Sequence, residues 1–209
     1  MKIIQIIKKV NATEVGKTGT NETYISVPKD CEVLDVFEQN EKVIEFKYKK
    51  DLSKTYNIRL QEGREIRIVG LGPFYRDNGV VAGARVILEK RTFNNKSEYF
   101  IDYTNDDGSF YLQHRNNDGF TLLTDTNNKL IFWEKVFYQG VTGKLEVRFR
   151  EAKKKRKDSK TVTNYYDVFF EGKKLNNAFK NNEIIEVFKN KGKYWLLREL
   201  LFQKIVMEV

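Results

Sequence analysis

Cysteine, histidine and proline are scarce in this sequence. Its 209 residues contain one cysteine, Cys31, one histidine, His114, and two prolines. A single cysteine excludes an internal disulfide framework and a cysteine-based zinc cluster. A single histidine leaves little material for a histidine-rich metal site or a Ser-His-Asp triad, so we interpret His114 as an ordinary strand-end residue. We therefore predict a protein that needs no metal or other cofactor.

The chain also lacks a hydrophobic run of membrane-spanning length. The apolar segment Met1–Val10 is short and contains three lysines, which is typical of neither a transmembrane helix nor a signal peptide. We therefore expect no membrane partner. A reducing cytoplasm is the simplest compartment for a chain with one cysteine.

Aromatic residues and positive charge are what the sequence has in quantity. Hydrophobic residues make up 40% of the chain, enough for a sizeable core, and aromatic residues make up 13%. Aromatic and β-branched residues favour strands. The formal net charge of +9 favours an anionic partner, either a nucleic acid or a membrane surface.

Short apolar runs separated by polar breaks predict a mainly β (α+β) fold. In the first half, the runs at Lys2–Val10, Tyr24–Val27, Lys42–Tyr48 and Tyr56–Leu60 are typical of strands, and Pro28–Val36 has the spacing of a short helix. The first run is short and places isoleucines on both sides of Gln5, so a helix also stays open there. Two polar segments interrupt these strands, Asn11–Glu22 and Lys49–Thr55, and we expect both to be loops.

The amino-acid composition of the chain changes near residue 104. Asn, Asp, Gly and Lys then dominate the breaks between short aromatic strands, and Tyr194–Val209 has the pattern of an amphipathic helix, although its end could also pair as a strand. We therefore predict two regions, 1–104 and 105–209. The second is expected to be an accessory β-rich region with a basic loop at Lys153–Lys157 and a C-terminal helix. This loop is either a solvated hairpin tip or a contact for phosphate groups.

The two polar segments of the first region could read DNA. The major groove presents a distinct donor and acceptor pattern for each base pair, which Arg, Lys, Asn and Gln can recognise from a rigid frame. The segments Asn11–Glu22 and Lys47–Arg59 are rich in such residues. If the strands bring them side by side, they form a clamp with two arms.

Three landmarks in order carry a resemblance to a known family. They are Asn11 followed by Gly16–Gly19, Asn21-Glu22 and Tyr24–Pro28; Phe46–Tyr48 followed by Thr55–Leu60; and Ala82–Leu88. With these, residues 1–91 resemble the B-three type DNA-binding pseudobarrel, in the form found in bacterial restriction endonucleases of the EcoRII effector-domain type. The chain departs from the family pattern at Asn21-Glu22, where the family has His-Gln, and by extra residues around Glu14-Val15.

The resemblance implies an open seven-stranded β pseudobarrel with short helices whose two arms grip the major groove of double-stranded DNA. It implies that Arg59 is the leading candidate for a base contact and that Lys49 and Lys50 contact phosphates. The candidate DNA-binding residues carried over are Asn11, Thr13, Lys17, Thr18, Asn21, Lys49, Lys50, Lys54, Tyr56, Asn57 and Arg59.

Catalytic motifs are weak. Gly16-Lys17-Thr18 resembles the end of a P-loop, but Asn11 stands where the first glycine is needed. Asp125 with Glu151-Ala152-Lys153 has the order of a metal-dependent nuclease centre, although Glu-x-Lys recurs by chance in a highly charged chain. We therefore predict a DNA-binding domain without catalytic residues.

The expected function is site-specific recognition of double-stranded DNA, as the target-recognition domain of a bacterial restriction enzyme acting in phage defence. A motor or nuclease domain outside this chain would supply the chemistry, as in the McrB-like, GTP-driven LlaJI type. Two alternatives stay open. One is a small, complete Mg-dependent endonuclease with its centre in residues 105–209, and the other is an RNA- or protein-binding β module.

Overall fold

The computed structural model describes residues 1–16, 23–105, 109–115, 118–123, 130–154, 162–180 and 182–209. The fold is mainly β, as the sequence predicted. Contacts divide the chain into two compact units, residues 1–106 together with 202–209, and residues 107–201. None of the described helices has the length and apolar character of a membrane span.

The first unit combines eight strands with two short helices. Its elements are β1 (Lys2–Lys9), β2 (Tyr24–Val27), α1 (Leu34–Phe37), β3 (Ile44–Tyr48), β4 (Asp51–Gln61), β5 (Ile66–Val69), α2 (Gly72–Asn78), β6 (Arg85–Phe93), β7 (Lys96–Thr104) and, from the end of the chain, β16 (Phe202–Glu208).

These strands form one sheet in the order β16-β1-β6-β7-β3-β4-β5-β2. Seven of them lie in the N-terminal region, the number that the resemblance implied, and β16 adds an eighth at the edge beside β1. One face of each strand is apolar by simple alternation, and it packs around Ile6, Phe46, Ile58 and Phe74, which are fully buried.

The helix predicted over Tyr194–Val209 is wrong. This segment forms parts of two strands, of which the second, β16, pairs antiparallel with β1 from Lys2↔Glu208 to Lys8↔Phe202. A short apolar run can satisfy both the helical and the strand period. Here the free edge of β1 and the burial of Phe202, which is 1% exposed, decide in favour of a strand.

The second unit is a small β-barrel. Its elements are β8 (Phe110–Arg115), β9 (Gly119–Leu122), β10 (Leu130–Tyr138), β11 (Val141–Lys154), β12 (Val162–Phe170), β13 (Lys173–Lys174), a 3-10 turn (Asn176–Ala178), β14 (Glu183–Asn190) and β15 (Lys193–Leu200).

The paired strands of the second unit close into a ring. The strand order is β11-β10-β15-β14-β8-β9-β12-β13, and β11 also pairs with β12. The described strands therefore form a ring of seven, to which β13 is attached. The interior is apolar and includes Phe120, Leu145, Tyr166 and Ile185.

Candidate nucleic-acid interface

Both predicted arms leave the first unit at the same end of its sheet. The last residue of β1, Lys9, pairs with the first residue of β6, Arg85, which in turn pairs with Thr104 at the end of β7. Strand β3 runs parallel to β7 and places Tyr48 beside Ile101, near that same end. The β1–β2 connection and the β3–β4 turn therefore emerge together, about 14 Å apart if each of the three intervening strand spacings is ~4.8 Å.

The start of the first arm is a tight turn organised by Asn11. Its side-chain oxygen accepts hydrogen bonds from the backbone N–H groups of Thr13, at 3.0 Å, and Glu14, at 3.1 Å. The N–H of Val15 donates to the carbonyl of Asn11 at 3.1 Å. The side-chain oxygen of Asn11 thus bonds to the backbone of its own turn.

Glu14 anchors this turn to two strands. Its carboxylate accepts hydrogen bonds from Lys8 Nζ on β1 (2.9 Å), from the N–H of Ser26 on β2 (3.0 Å) and from the N–H of Asn11 (3.0 Å). Burial, with a smaller contribution from the charge of Glu14, raises the pKa of Tyr75 well above its usual value. The hydrogen bonds of the Glu14 carboxylate thus join the edge strand β2 to β1, and the first arm starts from a rigid base.

Three predicted contacts of the first arm, Lys17, Thr18 and Asn21, lie outside the described residues, and their role stays a prediction. The described part of the arm holds Asn11 and Thr13, both half-buried.

The second arm is a β-hairpin, so the loop predicted over Lys49–Thr55 is wrong. Tyr48 pairs with Asp51 across the two-residue turn Lys49-Lys50, and Lys47 pairs with Thr55. The residues between those pairs, Leu52–Lys54, form a bulge on β4. A polar, basic segment reads as a loop from composition, but a bulged strand can hold the same residues with their side chains exposed.

Three lysines cluster at the hairpin turn and bulge. Lys49 Nζ lies 2.7 Å from Glu89 Oε2. Lys50 Nζ donates to the carbonyl of Tyr103 at 2.9 Å, lies 4.6 Å from the centre of that ring and is 3.5 Å from Asp102 Oδ1. Lys54 Nζ is 3.8 Å from Asp51, a separation that contributes little in solvent. Lys50 and Lys54 are about half exposed, so both can reach an external anion.

The charge of Lys49 is largely engaged within the protein. Burial disfavours the ionised form of Glu89, but hydrogen bonds from Lys49, Gln5 and Arg91 outweigh it and lower the pKa of Glu89. Lys49 is thus part of a fixed cluster, whereas Lys50 and Lys54 are the more available cations of this hairpin.

Three further predicted residues lie along β4, away from the turn. Tyr56 is buried and donates a hydrogen bond from its hydroxyl to Asp77 at 3.1 Å, which indicates a packing role. Asn57 is exposed on the outer face opposite Glu45. Arg59 Nε is bound to Glu41 Oε2 at 2.8 Å.

Arg59 lies toward the opposite end of the hairpin. Ile58 pairs with Ile44 at the start of β3, so Arg59 lies on the order of 17 Å from the turn at ~3.3 Å per residue. The structure therefore brings Lys49, Lys50 and Lys54 together and separates Arg59 from them.

The described residues include no acidic cluster suited to a metal. Glu151 Oε1 lies 3.8 Å from Arg150 and 3.7 Å from Lys153, while Asp125 lies outside the described residues. Among the residues that the structure describes, no group of three or more His, Cys, Asp or Glu side chains could hold a metal ion.

Comparisons with known proteins give no assignment. No protein-family model matches the chain, and no curated protein matches it either.

Proposed function

We propose that the first unit binds double-stranded DNA site-specifically and serves as the target-recognition domain of a bacterial restriction enzyme. The observation that carries the proposal is the common exit of the β1–β2 connection and the β3–β4 hairpin at one end of the curved sheet. A spacing of about 14 Å between the two arms is comparable to the ~12 Å width of the major groove. A rigid frame with two arms is what base recognition in that groove requires.

The two arms are proposed to have different roles in binding DNA. Lys50 and Lys54 at the hairpin contact phosphates and orient the module. Base reading falls to the first arm, with Lys17, Thr18 and Asn21 as its candidates, and to the exposed Asn57. Lys49, held by Glu89, and Tyr56, buried against Asp77, support the hairpin from inside.

The chain is proposed to act without catalytic residues of its own. Cleavage or nucleotide hydrolysis would come from a nuclease or GTP-driven motor outside this chain, and the working compartment would be the cytoplasm. The restriction assignment rests on the resemblance of residues 1–91, and the geometry of the arms supports the binding mode.

Selection from a randomised duplex library, followed by sequencing, tests the proposal. The wild type should enrich one short motif at two salt concentrations. Enrichment without a motif, with strong weakening by salt, would leave only non-specific attraction to phosphates. Preference for RNA over duplex DNA, or Mg-dependent cleavage that is lost in Glu151→Gln, would favour the two alternatives.

A further inference from the structure

The outer face of the C-terminal barrel carries a contacting aromatic pair. Phe137 on β10 and Trp195 on β15 are register partners, and their ring centroids lie 4.6 Å apart. The preceding and following residues, Val136 and Leu196, pack in the barrel core. Because successive side chains alternate between the faces of a strand, Phe137 and Trp195 lie on the outer face. Both keep part of their surface exposed.

Three exposed lysines lie near this pair. Lys135 precedes Val136, whose register partner Tyr194 is itself preceded by Lys193, so these two lysines start side by side. Lys191 lies in the β14–β15 turn. The residues that we call the lysine–aromatic patch are Phe137, Trp195, Lys135, Lys191 and Lys193.

The charge of these lysines is uncompensated. Within the described residues, none of the three takes part in an ion pair. Lys189 does not belong to the patch, because its Nζ lies 5.7 Å from the ring centre of Tyr194, on the core-facing side of the sheet. Strand β11 offers a contrast. There Lys144 and Arg148 both bind Glu146, at 3.0 and 2.5 Å. Because Glu146 offsets one of these two charges, Lys144 and Arg148 attract an anion less strongly than the lysines of the patch do.

We propose that the lysine–aromatic patch binds single-stranded nucleic acid. Exposed aromatic rings offer stacking surfaces for bases, and adjacent lysines neutralise phosphates. In a duplex the faces of the bases are already stacked on one another, so the rings would find no partner. The proposal concerns the second unit and does not rest on duplex recognition by the first.

Fluorescence anisotropy of the full chain with labelled dT and rU oligonucleotides of about 15 nucleotides tests the proposal. Trp195→Ala should weaken binding roughly tenfold through the lost stacking. The double variant Lys191→Gln/Lys193→Gln changes an exposed turn residue and the exposed first residue of β15, and it should weaken binding and flatten its salt dependence. The matched control, Lys144→Gln/Arg148→Gln, removes the same number of charges at a site where both cations bind Glu146, and it should weaken binding less.

Tryptophan fluorescence gives a second readout that leaves the lysine–aromatic patch itself unchanged. The chain has two tryptophans, and Trp133 packs against the core. In a Trp133→Phe background, oligonucleotide binding should quench the emission of Trp195 directly. Unchanged emission at saturating oligonucleotide would overturn the stacking role.

Other outcomes separate this proposal from the first. Absent binding of single strands by the wild type, or equal losses in the patch and control variants, would overturn it. Preferential binding of phosphatidylserine vesicles through the same lysines would also overturn it. Lys50→Gln should weaken duplex binding and leave single-strand binding intact, so each proposal can fail alone.

Discussion

Lys8 Nζ lies 2.9 Å from Glu14 Oε2, and the two side chains are only 2% and 3% exposed. This ion pair links strand β1 to the start of the first arm. The same carboxylate holds the N–H groups of Asn11 and Ser26, so one side chain joins three segments. A buried carboxylate with three donors is well compensated, and the position of the arm depends on it.

Removing the acid should cost more than removing the base. Glu14→Leu removes the carboxylate that a buried ammonium and two backbone N–H groups share, so we expect a loss of about 3–5 kcal/mol in the free energy of unfolding. Lys8→Met leaves the carboxylate with two donors and should cost less. Urea unfolding of both variants measures this order, and an equal or reversed order would contradict the anchoring role of Glu14.

The sequence predicted the first seven strands of the first unit better than it predicted the C-terminal end of the chain. The alternation in Ile44–Tyr48 is clear because one face of this strand is buried, and the strand was predicted correctly. β1 is confirmed as a strand, although its isoleucines do not alternate with polar residues. Glu14 was interpreted as part of an insertion. The role of Glu14 depends on its contacts with Lys8 and Ser26, which form only when the sheet folds. No local sequence pattern therefore predicts this role. Pairing of Phe202–Glu208 with β1 is likewise a contact between the two ends of the chain.

The candidate site also depends on both local and long-range contacts. Lys49, Lys50 and Lys54 lie together because they are close in sequence, and their role in DNA binding stays a prediction. The separation of Arg59 and its ion pair with Glu41 follow from the register of β3 and β4, which composition does not specify. The lysine–aromatic patch joins residues about sixty positions apart, and the β10–β15 pairing that assembles it is parallel and non-local.

Two substitutions in the second arm should show whether duplex binding depends on where a positive charge lies and not only on its presence. Lys50→Gln removes an exposed cation at the turn, so duplex affinity should fall for all sequences alike and the slope of log K against log salt should decrease by about one. Arg59→Gln removes an equal charge that is bound to Glu41, and we expect less than about a threefold change. A larger effect of Arg59→Gln, with loss of one base preference, would place the reading residue at the other end of the hairpin.

Two glycines of the barrel should differ sharply when changed to alanine. Gly119 has φ +92°, and a Cβ there would lie 2.6 Å from the carbonyl oxygen of Tyr166. Gly140 has φ +86°, and a Cβ there meets nothing within 4 Å. Gly140→Ala should cost about 1 kcal/mol for its backbone conformation alone. Gly119→Ala adds a clash with backbone at the β9–β12 pairing and should cost several times more, as thermal unfolding would show.

The stability of the second unit should fall in mild acid because of His114. This side chain is 5% exposed, and its ring lies 5.1 Å from that of Phe120. Burial lowers the pKa of His114, and this effect outweighs the opposing hydrogen bonds to the backbone of Lys180 and Asn176 and the charge of Glu183. The unfolded chain, with a histidine pKa near 6.5, therefore binds the proton first as pH falls.

The neutral buried imidazole therefore stabilises the folded state fully above about pH 7.5. As pH falls through about 6.5 toward the lower pKa of the folded state, this contribution to the free energy of unfolding is progressively lost. The loss is at most about 1.4 kcal/mol per pH unit. His114→Gln does not titrate, so its free energy of unfolding should decline less between pH 8 and 5.5 than that of the wild type. Urea midpoints of both proteins across this interval measure the difference. Carboxylates titrate in both proteins and cancel in the comparison, so parallel curves would mean that His114 is accommodated in its charged form.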